Sequence, residues 1–268
     1  MVKFFHIITM CGFVLTLTAC RESQKNKPIW EQVKITDLMP STGKENAELQ
    51  QLKTTNFNAC VFEVPVENIK TVNGIWQMLT TQPMRFNNYE AFKANLFLAG
   101  FGQAQTWNKI AELLVAAAAK KTETNYLLLP EGQPARIAVA KLKSEQTVFY
   151  VPIGGRMEGV MAGPGTLVLQ TKAEKIAGSR GVCNFTAQPV YLSAARSTVS
   201  QPASREKTGE INFDSVGFGL KMSPGDFFLL GPEKYVSDRM TLSSLFFTKS
   251  ERKPVIRIFL FVCARIAD

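Results

Sequence analysis

The spacing of apolar residues changes along the chain, and each change marks an element. FNACVFEV (57–64) alternates and is rich in β-formers, which predicts a strand stopped by Pro65. VENIKTVNGIWQMLTT then sets Ile69, Val72, Ile75, Trp76 and Leu79 three and four apart, one face of a helix weakened by Gly74. A turn at Gln82-Pro83 precedes a short helix over 89–95 and a strand over 96–100. AQTWNKIAELLVAAAAKK predicts a second long helix. Thr106 is placed to cap it, Trp107, Ile110, Leu113, Leu114 and Ala117 share a face, and the alanine run has high helix propensity. Lys120 and Lys121 suit its C-terminal dipole, and TNYLLLP follows as a strand.

Beyond residue 130 the helical period disappears. ARIAVAKL, QTVFYVPI, TLVLQTKAEKI, GVCNFTAQPVYL, EINF, FGLKM, DFFLLG, MTLSSLFF and VIRIFLFVCARI are short β-type runs between turn residues. The expected fold class is α+β: a small α/β unit with two helices on a sheet (56–130), followed by a β-rich sandwich or partial barrel (131–268). A polar linker at about 193–208 interrupts the second unit, and GGRMEGVMAGPG reads as turns between strands. Residues 20–55 read as a polar tether with a short helix over 45–53. Phe227-Phe228 and Phe246-Phe247 are adjacent aromatic pairs, whose members point to opposite faces of a strand. The four rings therefore read as core rather than as a ligand platform, with one member of each pair left able to join a partner surface, for which Phe246 and Phe247 are the candidates.

The amino terminus has a different pattern. Lys3 precedes an apolar run from Phe4 to Leu17, and Thr18 and Ala19 lead into Cys20. The run is shorter than the roughly 20 residues that span a bilayer, so residues 1–19 read as an export signal. Leu17-Thr18-Ala19-Cys20 resembles the lipobox of bacterial lipoproteins. That resemblance implies a diacylglycerol on the Cys20 thiol, cleavage before Cys20, and acylation of the new amine. Acyl chains bury about 0.8 kcal/mol per CH₂, so the anchor would be stable. The expected location is the bacterial cell envelope, lipid-anchored and periplasm-facing. Arg21 stands where an Asp would imply retention in the inner membrane, which favours the outer membrane.

Removing residues 1–19 leaves 268 − 19 = 249 residues and lowers the net charge from +9 to +8, since the removed segment carries Lys3 alone. The basic excess is dispersed in short pairs such as Lys120-Lys121 and Arg252-Lys253 and reads first as solubilising; it also suits anionic envelope components, phospholipid head groups or peptidoglycan. No interleaved basic-aromatic motif argues for nucleic acid.

The single histidine, His6, lies in the signal segment. Without an imidazole, Ser-His-Asp and Cys-His catalysis and mixed His/Cys zinc sites are excluded from the processed chain. Cys60, Cys183 and Cys263 lack CxxC spacing and lie in strand-like contexts; they read as buried thiols, with one disulfide among them left open. No nucleotide-binding motif occurs, and no metal or cofactor is expected. Two elements of the Ser-Lys acyl-enzyme signature are present, Ser41 with Lys44 and Lys207-Thr208-Gly209. The S-D-N element between them is missing, and S-x-x-K recurs at Ser250 and Lys253, as it readily does in a lysine-rich chain. Glu63, Glu67, Asp214 and Asp226 are the candidates for a hydrolase using paired carboxylates, though none has a diagnostic spacing.

FGLKMSPGDFFLLG, LSSLFF and PVIRIFLFVCARI are together similar in cadence to the end of bacterial secretins. Gly225, Leu230, Gly231, Leu245, Phe246, Arg265 and Ile266 carry the likeness, and Ser244 departs from it where a lip glycine is expected. The likeness covers about the last fifty residues and implies kinship of fold or partner, not a pore. The expectation for the whole chain is a lipid-anchored envelope protein with a non-enzymatic binding or assembly role, its partners an envelope protein assembly or peptidoglycan. The alternative is an envelope glycan hydrolase.

Overall fold

Two long apolar strands from distant parts of the sequence pair with each other. β1 (Thr54–Pro65) and β14 (Pro254–Ile266) run antiparallel, from Thr55 opposite Ile266 to Pro65 opposite Val255. The computed structural model describes residues 54–194, 209–237, 240–250 and 253–267. β14 is buried on both faces. Ile256, Ile258, Leu260 and Val262 belong to one apolar cluster, and Phe259, Phe261 and Cys263 to the other.

Sheet A forms around this pair in the order β3 (Phe97–Gly102), β12 (Phe227–Pro232), β14, β1, β4 (Lys120–Pro130), with β13 (Thr248–Ser250) on β14. Sheet B has the order β2 (Met84–Phe86), β11 (Phe218–Met222), β9 (Cys183–Ser193), β8 (Gly165–Lys175), β5 (Pro134–Leu142), with β10 (Glu210–Asn212) on β9. β6 (Gln146–Tyr150) and β7 (Glu158–Ala162) make a separate hairpin.

The molecule is therefore α+β, with a β-sandwich at its centre. Helices α1 (Ile69–Trp76) and α3 (Trp107–Ala116) cover the outer face of sheet A, and the short α2 (Tyr89–Ala94) lies between them in the chain. Their Val72, Ile75, Ile110 and Leu114 bury against Phe62, Leu229 and Leu260, and Trp107 meets the Phe227 ring edge-on at 5.6 Å. Sheet B covers the other face through a run of phenylalanines. Phe57, Phe185 and Phe228 approach at 4.7 and 5.3 Å, and Phe228 stacks on Phe261 at 4.7 Å. Each such ring withdrawn from water contributes about 1.5–3 kcal/mol.

The boundary expected at residue 130 does not separate two bodies. Sheet A takes β1, β3 and β4 from before it and β12, β13 and β14 from after it, and one apolar cluster draws on both segments. The two helices do pack on a sheet, but that sheet needs the C-terminal strands at its centre.

Two local expectations also change. α3 ends at Ala116, and Lys120 and Lys121 begin β4 instead of closing the helix. Ala118 adopts φ 53°, and its N–H and that of Ala119 donate to the Val115 and Leu114 carbonyls. That is the hydrogen-bond pattern of a left-handed helix cap, made here by an alanine where glycine is usual. MTLSSLFF, expected as a strand, contains helix α4 (Leu242–Phe247). The Thr241 hydroxyl accepts the Ser244 N–H at 3.2 Å, an N-cap that outweighs the β-propensity of Leu-Phe-Phe. Residues 20–53 of the tether, with Cys20, Ser41 and Lys44, and also Lys207 and Thr208, lie outside the described residues, as does most of the polar linker, whereas Thr54 and Thr55 open β1.

Candidate functional site

Strict alternation builds a polar face on sheet B. In β9, Cys183, Phe185 and Ala187 enter the core, so Asn184, Thr186 and Gln188 face outward. In β8, Leu169 and Ala173 enter the core, and Gln170 and Lys172 face outward. The register sets Gln170 opposite Gln188 and Lys172 opposite Thr186, so the polar side chains form rows across neighbouring strands. β2 and the turn after it add Arg85 and Asn87, and Gly217 and Gly219 complete the same surface. The result is an open groove of about 540 Å³.

Hydrogen bonds fix several of its side chains. The Asn87 N–H donates to the Gly217 carbonyl and its Nδ2 to the Asp214 carbonyl, both at 3.0 Å, which leaves Asn87 Oδ1 to accept from a ligand. Arg136 Nε donates to Gln170 Oε1 at 3.0 Å and its Nη2 to Glu210, so the Gln170 amide presents its NH₂. Gln188 donates to Asp214 Oδ1. Lys172 pairs with Glu174, whereas exposed Arg85 has no ion-pair partner among the described residues. The lining residues include amides, two threonines and two cations, and no carboxylate. Such a surface can donate several hydrogen bonds and offer a guanidinium to an anion.

The four carboxylates named from the sequence are not gathered into one site; three have separate partners. Glu63 bonds Lys249 at 3.2 Å on sheet A, and Asp214 receives Gln188 beside the groove. Asp226 accepts the Ser223 N–H at 2.8 Å in the turn between β11 and β12. Burial holds the Asp226 carboxyl above its ordinary range, with the Ser223 bond opposing. Glu67 lies in a single 3₁₀ turn before α1. Among the described residues no group of three or more His, Cys, Asp or Glu could hold a metal ion. Ser250 ends β13, and Gly209 bonds Ser193 at the start of the β9–β10 pairing.

The reading of Phe227, Phe228, Phe246 and Phe247 as core holds, and the partner surface drawn from Phe246 and Phe247 is corrected. Phe246 and Phe247 are both 0% exposed, as are Phe227 and Phe228. The opposite-face argument fails for Phe246 and Phe247 because they are helical, packed against Phe97 at 5.5 and 4.7 Å and against Phe259. It fails for β12 because that strand has a covered face on each side. The exposed apolar side chains lie elsewhere, with Ile153, Met157 and Met161 on the β6–β7 hairpin and Tyr126 and Leu128 on edge strand β4.

Sequence reasoning named none of the groove residues. Asn184, Thr186 and Gln188 were legible as one polar face, but nothing in the sequence says which strands lie beside them. Compared with family models, curated proteins and solved structures, the chain gives no match.

Proposed function

We propose that this is a lipid-anchored envelope protein with a non-enzymatic binding role, and that the outer face of sheet B is its binding surface. The observation that carries the reading is the groove itself, with outward amides on β8 and β9, the Arg85 guanidinium at one side and no carboxylate in the lining. Glycoside hydrolysis needs two carboxyl groups on either side of the scissile bond, and Asp214 beside the groove has no such partner in its lining. A ligand suited to this face is extended, rich in hydroxyl and amide groups, and anionic. Peptidoglycan, with its sugar hydroxyls and peptide carboxylates, has that chemistry. The Cys20 lipid would hold the groove near such a polymer and raise its local concentration.

The test is co-sedimentation of the purified processed chain with isolated peptidoglycan sacculi at two salt concentrations. Wild type is expected to sediment with the sacculi, less so at higher salt because the cationic contribution is screened. Arg85→Glu is expected to weaken binding at least tenfold while leaving the thermal transition unchanged, since Arg85 is exposed. Equal binding by wild type and Arg85→Glu would remove the groove from the account.

A second reading, an assembly role, is favoured by the β6–β7 hairpin, where Ile153, Met157 and Met161 are 56, 64 and 58% exposed. Exposed apolar side chains grouped on one hairpin suit a protein partner. Cross-linking in intact cells followed by affinity purification separates the two readings, because an Ile153→Asp, Met157→Asp variant would lose a protein partner and keep glycan binding.

A further inference from the structure

Three thiols leave three pairings open, and the fold separates them. Cys60 is in the cluster between sheet A and the helices, with Sγ 3.8 Å from Thr124 Oγ1. Cys183 and Cys263 are in the cluster between the two sheets, one on sheet B and one on sheet A.

The turn joining β11 to β12 brings these two together. Cys183 is the register partner of Met222, the last residue of β11. Ser223-Pro224-Gly225-Asp226 then reverses the chain, with Gly225 at φ 89° and the Asp226 N–H donating to the Ser223 carbonyl at 3.0 Å. Pro followed by a positive-φ Gly is the type II pattern. On the far side of this turn, the Gly225 N–H donates to the Cys263 carbonyl at 2.8 Å and the Cys263 N–H to the Asp226 carbonyl at 2.9 Å. One four-residue turn thus has Cys183 beside its start and Cys263 bonded to its end. Both residues are 0% exposed, and both are free, buried thiols in this structure.

We propose that Cys183 and Cys263 form a disulfide that joins sheet A to sheet B, made as the exported chain folds, with Cys60 left as a free thiol. The reaction is thiol–disulfide exchange with a disulfide oxidant, either a protein disulfide or a low-molecular-weight one. The Cys183 thiolate attacks the oxidant, forming a mixed disulfide and releasing one thiolate. Cys263 loses its proton and attacks the Cys183 sulfur, expelling the second thiolate. Two protons and two electrons pass to the oxidant, which ends as two thiols. Because both sulfurs are sealed in the finished core, exchange must precede closure of the sandwich. The link closes a loop spanning 263 − 183 = 80 positions, long enough to restrict the unfolded chain substantially.

This inference rests on the export reading, and two parallel samples keep the two apart. Full-length protein from its native envelope is acid-quenched, alkylated and mapped as non-reduced peptides. The processed chain is also refolded in a glutathione redox buffer and mapped in the same way. A Cys183–Cys263 peptide pair in both samples, with Cys60 alkylated, is the expected result. The pair in the refolded sample alone would support the geometry and overturn export to an oxidising compartment. Alkylated Cys183 and Cys263 in both samples, or either one linked to Cys60, would overturn the pairing. Reduction, or the double variant Cys183→Ala, Cys263→Ala, is expected to lower Tm by about 10 °C, whereas alkylation of Cys60 in the unfolded state is expected to leave the Cys183–Cys263 pair intact.

Discussion

Arg257 donates from Nη1 to the Val139 carbonyl at 2.7 Å, linking the central strand of sheet A to an edge strand of sheet B. Val139 is the bulged residue of β5, between Ala138 opposite Val168 and Ala140 opposite Leu167. A bulge leaves a residue outside the ladder, and the guanidinium takes up its carbonyl. Nη2 donates to the Leu245 and Phe246 carbonyls at 3.2 and 2.7 Å, so the same side chain satisfies the C-terminus of α4. Burial pulls the Arg257 pKa down, with Glu123 and Glu63 opposing.

Arg257→Leu removes the donors to three carbonyls. It is expected to lower unfolding stability by about 2–4 kcal/mol, measured by urea denaturation. Arg257→Lys keeps the charge without the planar fork and is expected to recover only part of the loss.

Asn95 clasps the hairpin. Its Oδ1 accepts the Val151 N–H at 2.8 Å, and its Nδ2 donates to the Val151 carbonyl at 2.7 Å and the Ala91 carbonyl at 2.8 Å. The side chain thereby imitates a neighbouring strand for Val151. Asn95→Ala is expected to cost about 1–3 kcal/mol by thermal denaturation. Asn95→Asp would set a carboxylate against two carbonyls, which raises its folded pKa above the unfolded value. Its stability deficit should therefore shrink at low pH and grow as pH rises.

Gly102 packs where a side chain cannot fit. A Cβ there would lie 2.4 Å from Phe227 Cζ, in a ring held between the sheet and Trp107. Gly102→Ala is expected to destabilise by about 1–3 kcal/mol. Gly154→Ala, where no atom lies within 4 Å of the added Cβ, is expected to stay within about 0.5 kcal/mol. Equal effects from the two would contradict the packing described.

Asp226 supplies a pH dependence. Burial raises its folded pKa above the unfolded one, so the folded state holds the proton more tightly. The contribution is fully present below the unfolded pKa and is lost as pH rises through the folded pKa. Wild-type stability should therefore carry a component that declines on going from acid toward neutral pH. Asp226→Asn keeps an acceptor for the Ser223 N–H and removes that component, a difference read from denaturation midpoints across pH.

The β-rich sandwich and two helices on a sheet were legible because alternation and the 3.6-residue period are local. The division at residue 130 was misread because β14 pairs with β1 across the length of the domain, and no local pattern records a partner so far away. Phe246 and Phe247 were legible as core, but their helical state, and with it the failure of a partner surface, was not, because Thr241 and Ser244 form a cap stronger than the aromatic strand signal that follows. The end of α3 was hidden because Ala118, not glycine, takes the left-handed position. The groove was half legible, in the outward Asn184, Thr186 and Gln188 of one strand. Its other residues join only through the order of sheet B.

The most direct measurement of the central claim is backbone NMR of the processed chain titrated with soluble peptidoglycan fragments. The account predicts shifts concentrated at Arg85, Asn87, Gln170, Asn184, Thr186 and Gln188, abolished by Arg85→Glu. Shifts confined to Ile153, Met157 and Met161, or none at saturating ligand, would contradict it.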